Sequence, residues 1–216
     1  MINFICLILT ILRIIKYLIS DTKRYSVILS TIFYYRPKSI IEIGVYRGVR
    51  AKEMIQAAQI FNKNIEYFGF DLFEMINKKI QKKELSKIPY SKKDIKNNLS
   101  KYAKVKLFKG YTSKTLDKLK NKKVDLIFID GGHRLNTIKN DWNKSKKFQK
   151  KNTIIIFDDY YLDNKKIIRN FGCNLVVNKI DEKKYSKKLF FFTDRFVHLK
   201  QRLNIKMVLL KKLNNE

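Results

Sequence analysis

Cysteine, histidine, glycine and acidic residues are all scarce in this chain of 216 residues, and the scarcity narrows what it can be. Two cysteines, Cys6 and Cys173, exclude a disulfide scaffold and a multi-cysteine zinc module. Only 19 Asp and Glu oppose 48 Lys and Arg, of which 39 are Lys, so the formal net charge is +29. A disordered polycation is excluded all the same: 45% of the residues are hydrophobic and 15 are Phe, enough apolar side chain to offset the entropy of ordering. Charge of this size marks either a nucleic-acid or anionic-membrane footprint or a lysine coat over the surface. The chain lacks an RNP-type aromatic motif and a basic helix with interleaved aromatics, and its lysines are spread along its whole length. A nucleic-acid partner is therefore not expected. No internal repeat or linker-like stretch occurs, and the length suits one domain able to bury roughly 70% of its unfolded surface.

A long uninterrupted apolar run is missing as well. Residues 1–19 come closest, but Arg13 and Lys16 break the stretch, and a membrane span needs about 20 mainly apolar residues. A signal peptide fits poorly, because no basic residue precedes the run and no small-residue cleavage site follows it. On a helical wheel Asn3, Thr10, Arg13, Lys16 and Ser20 roughly share one side. Two arrangements suit such a helix. It packs on its own domain or on a second subunit of a homo-oligomer, or it lies in a membrane interface with Arg13 and Lys16 on the headgroups. The expected location is cytoplasmic, with peripheral membrane contact through residues 1–19 as the open option. Asp21 or Thr22 is placed to cap a second helix to about Tyr35, and Pro37 disfavours its continuation. Residues 1–36 thus read as N-terminal helices and 37–216 as the main domain.

From Ser39 the sequence alternates short apolar runs with helical stretches at roughly 48–62, 113–121 and 135–149. The runs are Ile40–Gly44, Tyr67–Asp71, Val105–Gly110, Val124–Asp130 and Thr153–Asp159, with two more expected at Asn174–Ile180 and Lys188–Thr193. Apolar residues on consecutive positions indicate strands buried on both faces. Their alternation with helices predicts an α/β, doubly wound, mostly parallel seven-stranded sheet with helices on both faces. Residues 74–100 form a Lys-rich insertion, read either as solvated helices or as a lid over a substrate.

Sheets of this kind bind ligands beyond the carboxyl ends of their strands, and the rare residues of this chain gather there. The first strand ends Glu42-Ile43-Gly44-Val45-Tyr46-Arg47-Gly48. This is not the G-x-G-x-x-G of a dinucleotide site, and a carboxylate beside the loop favours an amine-bearing ligand over a diphosphate. Asp71 closes the second strand, where a carboxylate either accepts both hydroxyls of a ribose or caps the following segment. Thr112 and Ser113 follow the third strand as small polar groups able to face an adenine. The fourth and fifth strands end Asp130-Gly131-Gly132-His133 and Asp158-Asp159. Neighbouring strand ends lie about 5 Å apart, so three carboxylates would repel one another there without a cation between them. Oxygen ligands favour Mg²⁺ or a similar hard ion at Asp130, Asp158 and Asp159. His133, with an ordinary pKa of about 6.5, suits a general base.

These residues, in this order, resemble class I S-adenosylmethionine-dependent methyltransferases, in particular the metal-dependent O-methyltransferases of the macrocin O-methyltransferase-like and cephalosporin-hydroxylase-like group. IIEIGVYRGVRA, YFGFDLFE, LFKGYTSKTL, VDLIFIDGGHRLNTIKNDW and TIIIFDDYY carry the likeness across residues 40–161. The resemblance implies a Rossmann-like fold in which Glu42, Gly44, Tyr46 and Gly48 surround the methionine part of S-adenosylmethionine. It implies that Asp71 holds the ribose, that Thr112 or Ser113 lies near the adenine, and that Asp130 serves both cofactor and metal sites. His133 falls where catechol enzymes carry a lysine base. The implied reaction is metal-assisted methylation of a hydroxyl on a small-molecule or saccharide acceptor. An RNA-directed methyltransferase and a related metal-dependent hydroxylase are the rival readings.

Overall fold

The computed structural model describes residues 2–120, 122–163, 169–198 and 201–213; Met1, at the head of the apolar run, and residues 214–216 of the main domain lie outside them. Helix α1 (Phe4–Leu18) begins at Asn3, whose side chain accepts a hydrogen bond from the Cys6 amide. Its polar stripe turns inward. Arg13 Nη2 donates to Gln56 Oε1 at 2.6 Å and the Tyr17 hydroxyl donates to Glu53 at 2.8 Å, both on helix α3 (Val49–Gln59). The expectation of Arg13 on lipid headgroups is thereby corrected. Helix α3 offers Glu53, Gln56 and Gln59 at a helical spacing, and this polar row draws the polar side of α1 onto it.

Helix α2 (Arg24–Tyr35) buries Val27, Ile28, Leu29 and Ile32. Neither Asp21 nor Thr22 caps it; Lys23 holds the cap position without a side-chain bond, and the Arg24 amide instead reaches the carboxylate of Asp194 at 3.2 Å. The helix ends at Arg36, which is left-handed (φ 50°) just before Pro37.

Five strands form the parallel part of the sheet in the order β3-β2-β1-β4-β5: β1 (Ser39–Ile43), β2 (Glu66–Asp71), β3 (Lys104–Lys109), β4 (Val124–Ile129) and β5 (Gln149–Tyr161). Strand β8 (Gln201–Lys212) joins β5 antiparallel, and β6 (Tyr185–Leu189) and β7 (Asp194–His198) both pair with β8. The α/β architecture with helices on both faces stands as expected, with eight strands rather than seven among the described residues. Side chains alternate between two cores. Ile40, Leu126, Phe128, Ile154 and Ile156 face α2 and α3, whereas Ile41, Ile43, Ile127, Ile129 and Phe157 face α7 (Leu135–Ser145) with its Trp142. Each fully buried side chain of this kind contributes about 1.5–3 kcal/mol.

The run expected as a strand at Asn174–Ile180 is a short helix, α8 (Asn174–Val177). Asn174 explains the difference: its Oδ1 accepts from the Tyr161 amide at 2.9 Å and its Nδ2 donates to the Tyr161 carbonyl at 2.5 Å. A side chain has taken the backbone groups at the end of β5, and the apolar residues that follow pack as a helical turn. In the Lys-rich insertion, α4 (Lys78–Glu84) buries nothing, while α5 (Lys92–Leu99) sinks Ile95 and Leu99 into the core.

Arg24 ties three elements together. Its Nε donates to Asp158 Oδ1 at 2.8 Å, at the end of β5, and its Nη1 donates to Asp194 Oδ2 at 2.7 Å, at the start of β7. Both carboxylates are almost fully buried. Removing the shared partner leaves two buried charges uncompensated, so Arg24→Met is expected to cost about 3–5 kcal/mol. Urea unfolding of the variant measures this, and a loss below about 1 kcal/mol, the range of a surface ion pair, would refute it.

Candidate active site

The strand order reverses between β1 and β4, and a cleft of about 1000 Å³ opens there, beyond the carboxyl ends of the parallel strands. Gly44 makes the walls meet. It has φ +93°, and a Cβ built on it would lie 2.0 Å from the Asp130 carbonyl oxygen, so only glycine lets the loop after β1 cross the end of β4. The Asp130 amide closes the same crossing by donating to the Ile43 carbonyl at 2.8 Å.

On one side of the cleft stands Glu42, 1% exposed. Its Oε2 accepts from the Tyr67 hydroxyl, and its buried Oε1 has no partner. Burial pushes its carboxyl up to about 8, against the pull of the Tyr67 hydrogen bond. Asp71 lies beside it. One carboxylate oxygen accepts the amides of Val45 and Tyr46, each at 2.8 Å, and the other accepts the Phe73 amide at 3.1 Å. Burial raises its pKa while these amides pull it back. Asp71 thus shapes the loop it faces and keeps one acceptor direction to spare. Tyr46, left-handed at φ 51°, lines the cleft, as does Thr112. Gly48 and Ser113 do not: Gly48 starts α3 against Ile95, and Ser113 is exposed.

Across the cleft, Asp130, His133 and Asp159 bring one ligand atom each to within 4.8 Å of one another. His133 Nε2 meets Asp159 Oδ2 at 2.5 Å, and its Nδ1 meets the Glu84 carbonyl at 2.9 Å. A carbonyl only accepts, so Nδ1 carries a proton. Burial disfavours the charged ring, but the carboxylate of Asp159 outweighs it and lifts His133 to about 10. The Asp159 contact therefore favours the charged ring in the ligand-free protein. Asp130 is pushed well above the usual carboxylate range by burial and by the charges of Asp158 and Asp159. Asp159 is itself left-handed (φ 58°), a strained geometry for a non-glycine residue.

Asp158 does not join this group. Both its oxygens are bonded to Arg24, and its place in the expected acidic triad is taken by His133. Consecutive residues of a strand point to opposite sides, so Asp158 and Asp159 cannot share one target unless the backbone turns.

Several residues at the site carry no strand-end signal in the sequence. Glu84, from α4, receives His133 on its carbonyl and Thr137 Oγ1 on its carboxylate at 3.0 Å, which stitches the Lys-rich insertion to the His133 turn. Asp141, inside α7, is 1% exposed with Oδ2 unpartnered, and burial raises it to about 6. It lies within the NTIKNDW phrase, where a lone acid in an amphipathic helix reads as a solvated face. Arg47, Lys78, Lys82, Lys87 and Arg195 also line the cleft, and none has an acidic partner among the described residues.

A doubly wound α/β sheet with its cleft at the strand ends defines a ligand-binding enzyme fold, and residues 41–160, more than half of the chain, match the family model described as a methyltransferase domain. The chain belongs to this family and is an S-adenosylmethionine-dependent methyltransferase. Solved structures share the fold at low identity. The SAH-bound methyltransferase PaMTH1 of Podospora anserina is 17% identical with a TM-score of 0.57, covering 91% of this chain and 80% of that one. The precorrin-6y C5,15-methyltransferase of Geobacter metallireducens GS-15 is 15% identical with a TM-score of 0.57, covering 88% and 87%. The O-methyltransferase of Bacillus cereus in complex with SAH is 15% identical with a TM-score of 0.53, covering 89% and 82%. No curated protein matches the chain.

Glu42 makes the ligand-free protein pH-sensitive. The folded state holds its proton to about pH 8, while an ordinary Glu releases it near 4.5, so raising the pH through that interval favours unfolding. The loss is expected to reach a few kcal/mol at the upper end. Glu42→Gln still accepts from Tyr67 and has no proton to lose, so it should flatten this dependence. Urea unfolding across the interval checks it; equal slopes for wild type and variant would show that Glu42 ionises normally.

Proposed function

We propose that the enzyme methylates a hydroxyl of an anionic small-molecule or saccharide acceptor, using S-adenosylmethionine and a divalent cation held by Asp130, His133 and Asp159. The observation that carries this reading is the meeting, in one cleft, of an unpartnered buried carboxyl oxygen at Glu42 with a compact oxygen and nitrogen donor set opposite.

Both groups fit the residues present. An ammonium satisfies Glu42 Oε1, which has no other partner, and would bring the carboxyl back to its charged form. Asp71 has one acceptor direction left for a ribose hydroxyl, and Thr112 with the free Oδ2 of Asp141 suits the exocyclic amine of an adenine. At the cation site, the Glu84 carbonyl fixes one His133 proton on Nδ1, so a bound cation would displace the other from Nε2 and take that nitrogen as its ligand, the usual way a second contact orients a metal-binding histidine. Two carboxylates with one imidazole suit Mg²⁺ or Mn²⁺. When bound, S-adenosylmethionine supplies an electrophilic methyl group and the cation supplies positive charge beside the acceptor hydroxyl.

The remaining work falls to the chain. Walls closed by Gly44 and the Glu84 contact hold the two ligands in one orientation, which removes several kcal/mol of alignment cost from the barrier. The unpaired cations at Arg47, Lys78, Lys82, Lys87 and Arg195 favour an acceptor with negative charge. His133 belongs to the cation's ligand set in this reading, rather than standing apart as the base.

Calorimetry with S-adenosylmethionine, followed by assay of S-adenosylhomocysteine release with and without chelator, tests the proposal. Asp159→Asn should bind S-adenosylmethionine within about threefold of wild type yet lose at least about 100-fold in turnover, because a direct ligand is gone. Chelator should abolish wild-type turnover. Full activity of Asp159→Asn in chelator would exclude the cation, absence of S-adenosylmethionine binding would exclude the whole reading, and a hydroxylated product without S-adenosylhomocysteine would point to the hydroxylase instead.

A further inference from the structure

Among the described residues, the outer side of α1 gathers more exposed large apolar side chains than any other element. Phe4, Ile5, Ile8, Leu12, Ile15 and Ile19 recur at helical spacing and all stand exposed, from 50% at Ile15 to 82% at Ile19. The same helix buries Cys6, Thr10 and Tyr17 and sends Arg13 to Gln56, so it is docked by its polar side with its apolar side outward. An apolar stripe this long, left in water, marks an interaction surface.

We infer that this face seats on an anionic lipid bilayer, with α1 lying in the plane of the headgroups. The helix cannot cross: its 15 residues reach about 22 Å against a hydrocarbon core of about 30 Å, and no helix among the described residues is long and apolar enough to span a membrane. Charge selects the lipid. With Arg13 and Arg24 turned inward, residues 1–41 still expose four cations, Lys16, Lys23, Arg36 and Lys38, against one acid, Asp21, in a chain of net charge +29. Lys16 and Lys23 are exposed, Lys16 within one helical turn of Leu12, Ile15 and Ile19, as in helices that lie on membrane surfaces. A second copy is a poorer occupant, because it brings the same positive charge. The stripe runs to Ile19, and Asp21 and Thr22 just beyond it line the cleft, so docking brings the rim of the cleft to the lipid surface.

Vesicle flotation of the full chain tests this, using phosphatidylcholine vesicles with and without about a third phosphatidylglycerol. The wild type should float with the anionic vesicles and at least about tenfold more weakly with neutral ones or at high salt. The quadruple variant Ile5→Ser, Ile8→Ser, Leu12→Ser, Ile15→Ser touches only the outward side, so it should keep the wild-type circular dichroism while losing flotation by at least about tenfold. Lys16→Glu with Lys23→Glu leaves the apolar face intact and should weaken anionic binding alone. Wild type that stays with the unbound fraction overturns the inference, as does equal flotation with neutral vesicles. A dimer in lipid-free buffer that the quadruple variant converts to monomer would also overturn it, showing that a second copy covers the face.

Discussion

Parallel strands β4 and β5 end side by side, and three carboxylates, Asp130, Asp158 and Asp159, end with them in a space largely closed to water. Two like charges about 4 Å apart repel by roughly 4 kcal/mol even at an effective dielectric constant of 20. The fold meets this by importing a cation for two of the three. Arg24, from α2, takes Asp158, and His133, from the turn after β4, takes Asp159. Asp130 keeps its proton more readily than an ordinary carboxyl and faces the cleft. The elements that deliver these cations are thereby fixed in place. Asp194 of β7 shares Arg24, and Glu84 of the insertion grips His133.

The N-terminal layer follows the same logic of charge inside and apolar surface outside. Glu53 on α3 is bonded by Tyr17 and Arg50 and stands 4.0 Å from Arg13. A carboxylate at that depth needs donors, and α1 supplies them only by turning its polar side inward. The exposed apolar stripe is the consequence of this rotation, because one helix cannot present both sides to the domain. Its amphipathic pattern was visible in the sequence, but its direction was not, since the partner row Glu53, Gln56 and Gln59 lies 36 or more residues away from the side chains it bonds.

Strands β1, β2, β4 and β5 were legible because burial on both faces leaves consecutive apolar residues, a pattern that no solvated element of that length produces, whereas the edge strand β3 alternates Lys with apolar residues and stays largely exposed. The antiparallel edge was not. Strand β8 interrupts its apolar residues with Asn204 and Lys206, and Asn174 decides the fate of the Leu-Val-Val run by a contact back to Tyr161. At the site, Glu42, Asp71, Asp130 and the Asp158–Asp159 pair were legible as acids at strand ends, a consequence of topology alone. Which aspartate of the pair faces the cleft was not, because it depends on a left-handed residue at Asp159 and on Arg24, 134 positions earlier. Glu84 and Asp141 sit on helices, where an isolated acid carries no positional signal, and their roles arise only when α4 and α7 pack against the His133 and Thr112 turns.

The excess of lysine and the acidic interior sort charge by depth. Glu42 and Asp159 line the cleft as buried groups with Asp71 and Asp130 half-buried beside them, whereas Arg47, Lys78, Lys82, Lys87 and Arg195 line it without an ion-pair partner among the described residues. Salt screens exposed charges beyond about 8 Å at physiological strength but leaves buried ones nearly unchanged. An amine or a metal ion bound at the buried acids would therefore be held by interactions that ionic strength barely touches, while attraction of an anion to the exposed cations would vary with it. Lys87 joins the two levels, since its charge is felt at Asp159 while its ammonium lies 5.7 Å from the Tyr46 ring centre. A ligand that carries positive charge at one end and negative charge at the other is thus oriented before it makes a single hydrogen bond.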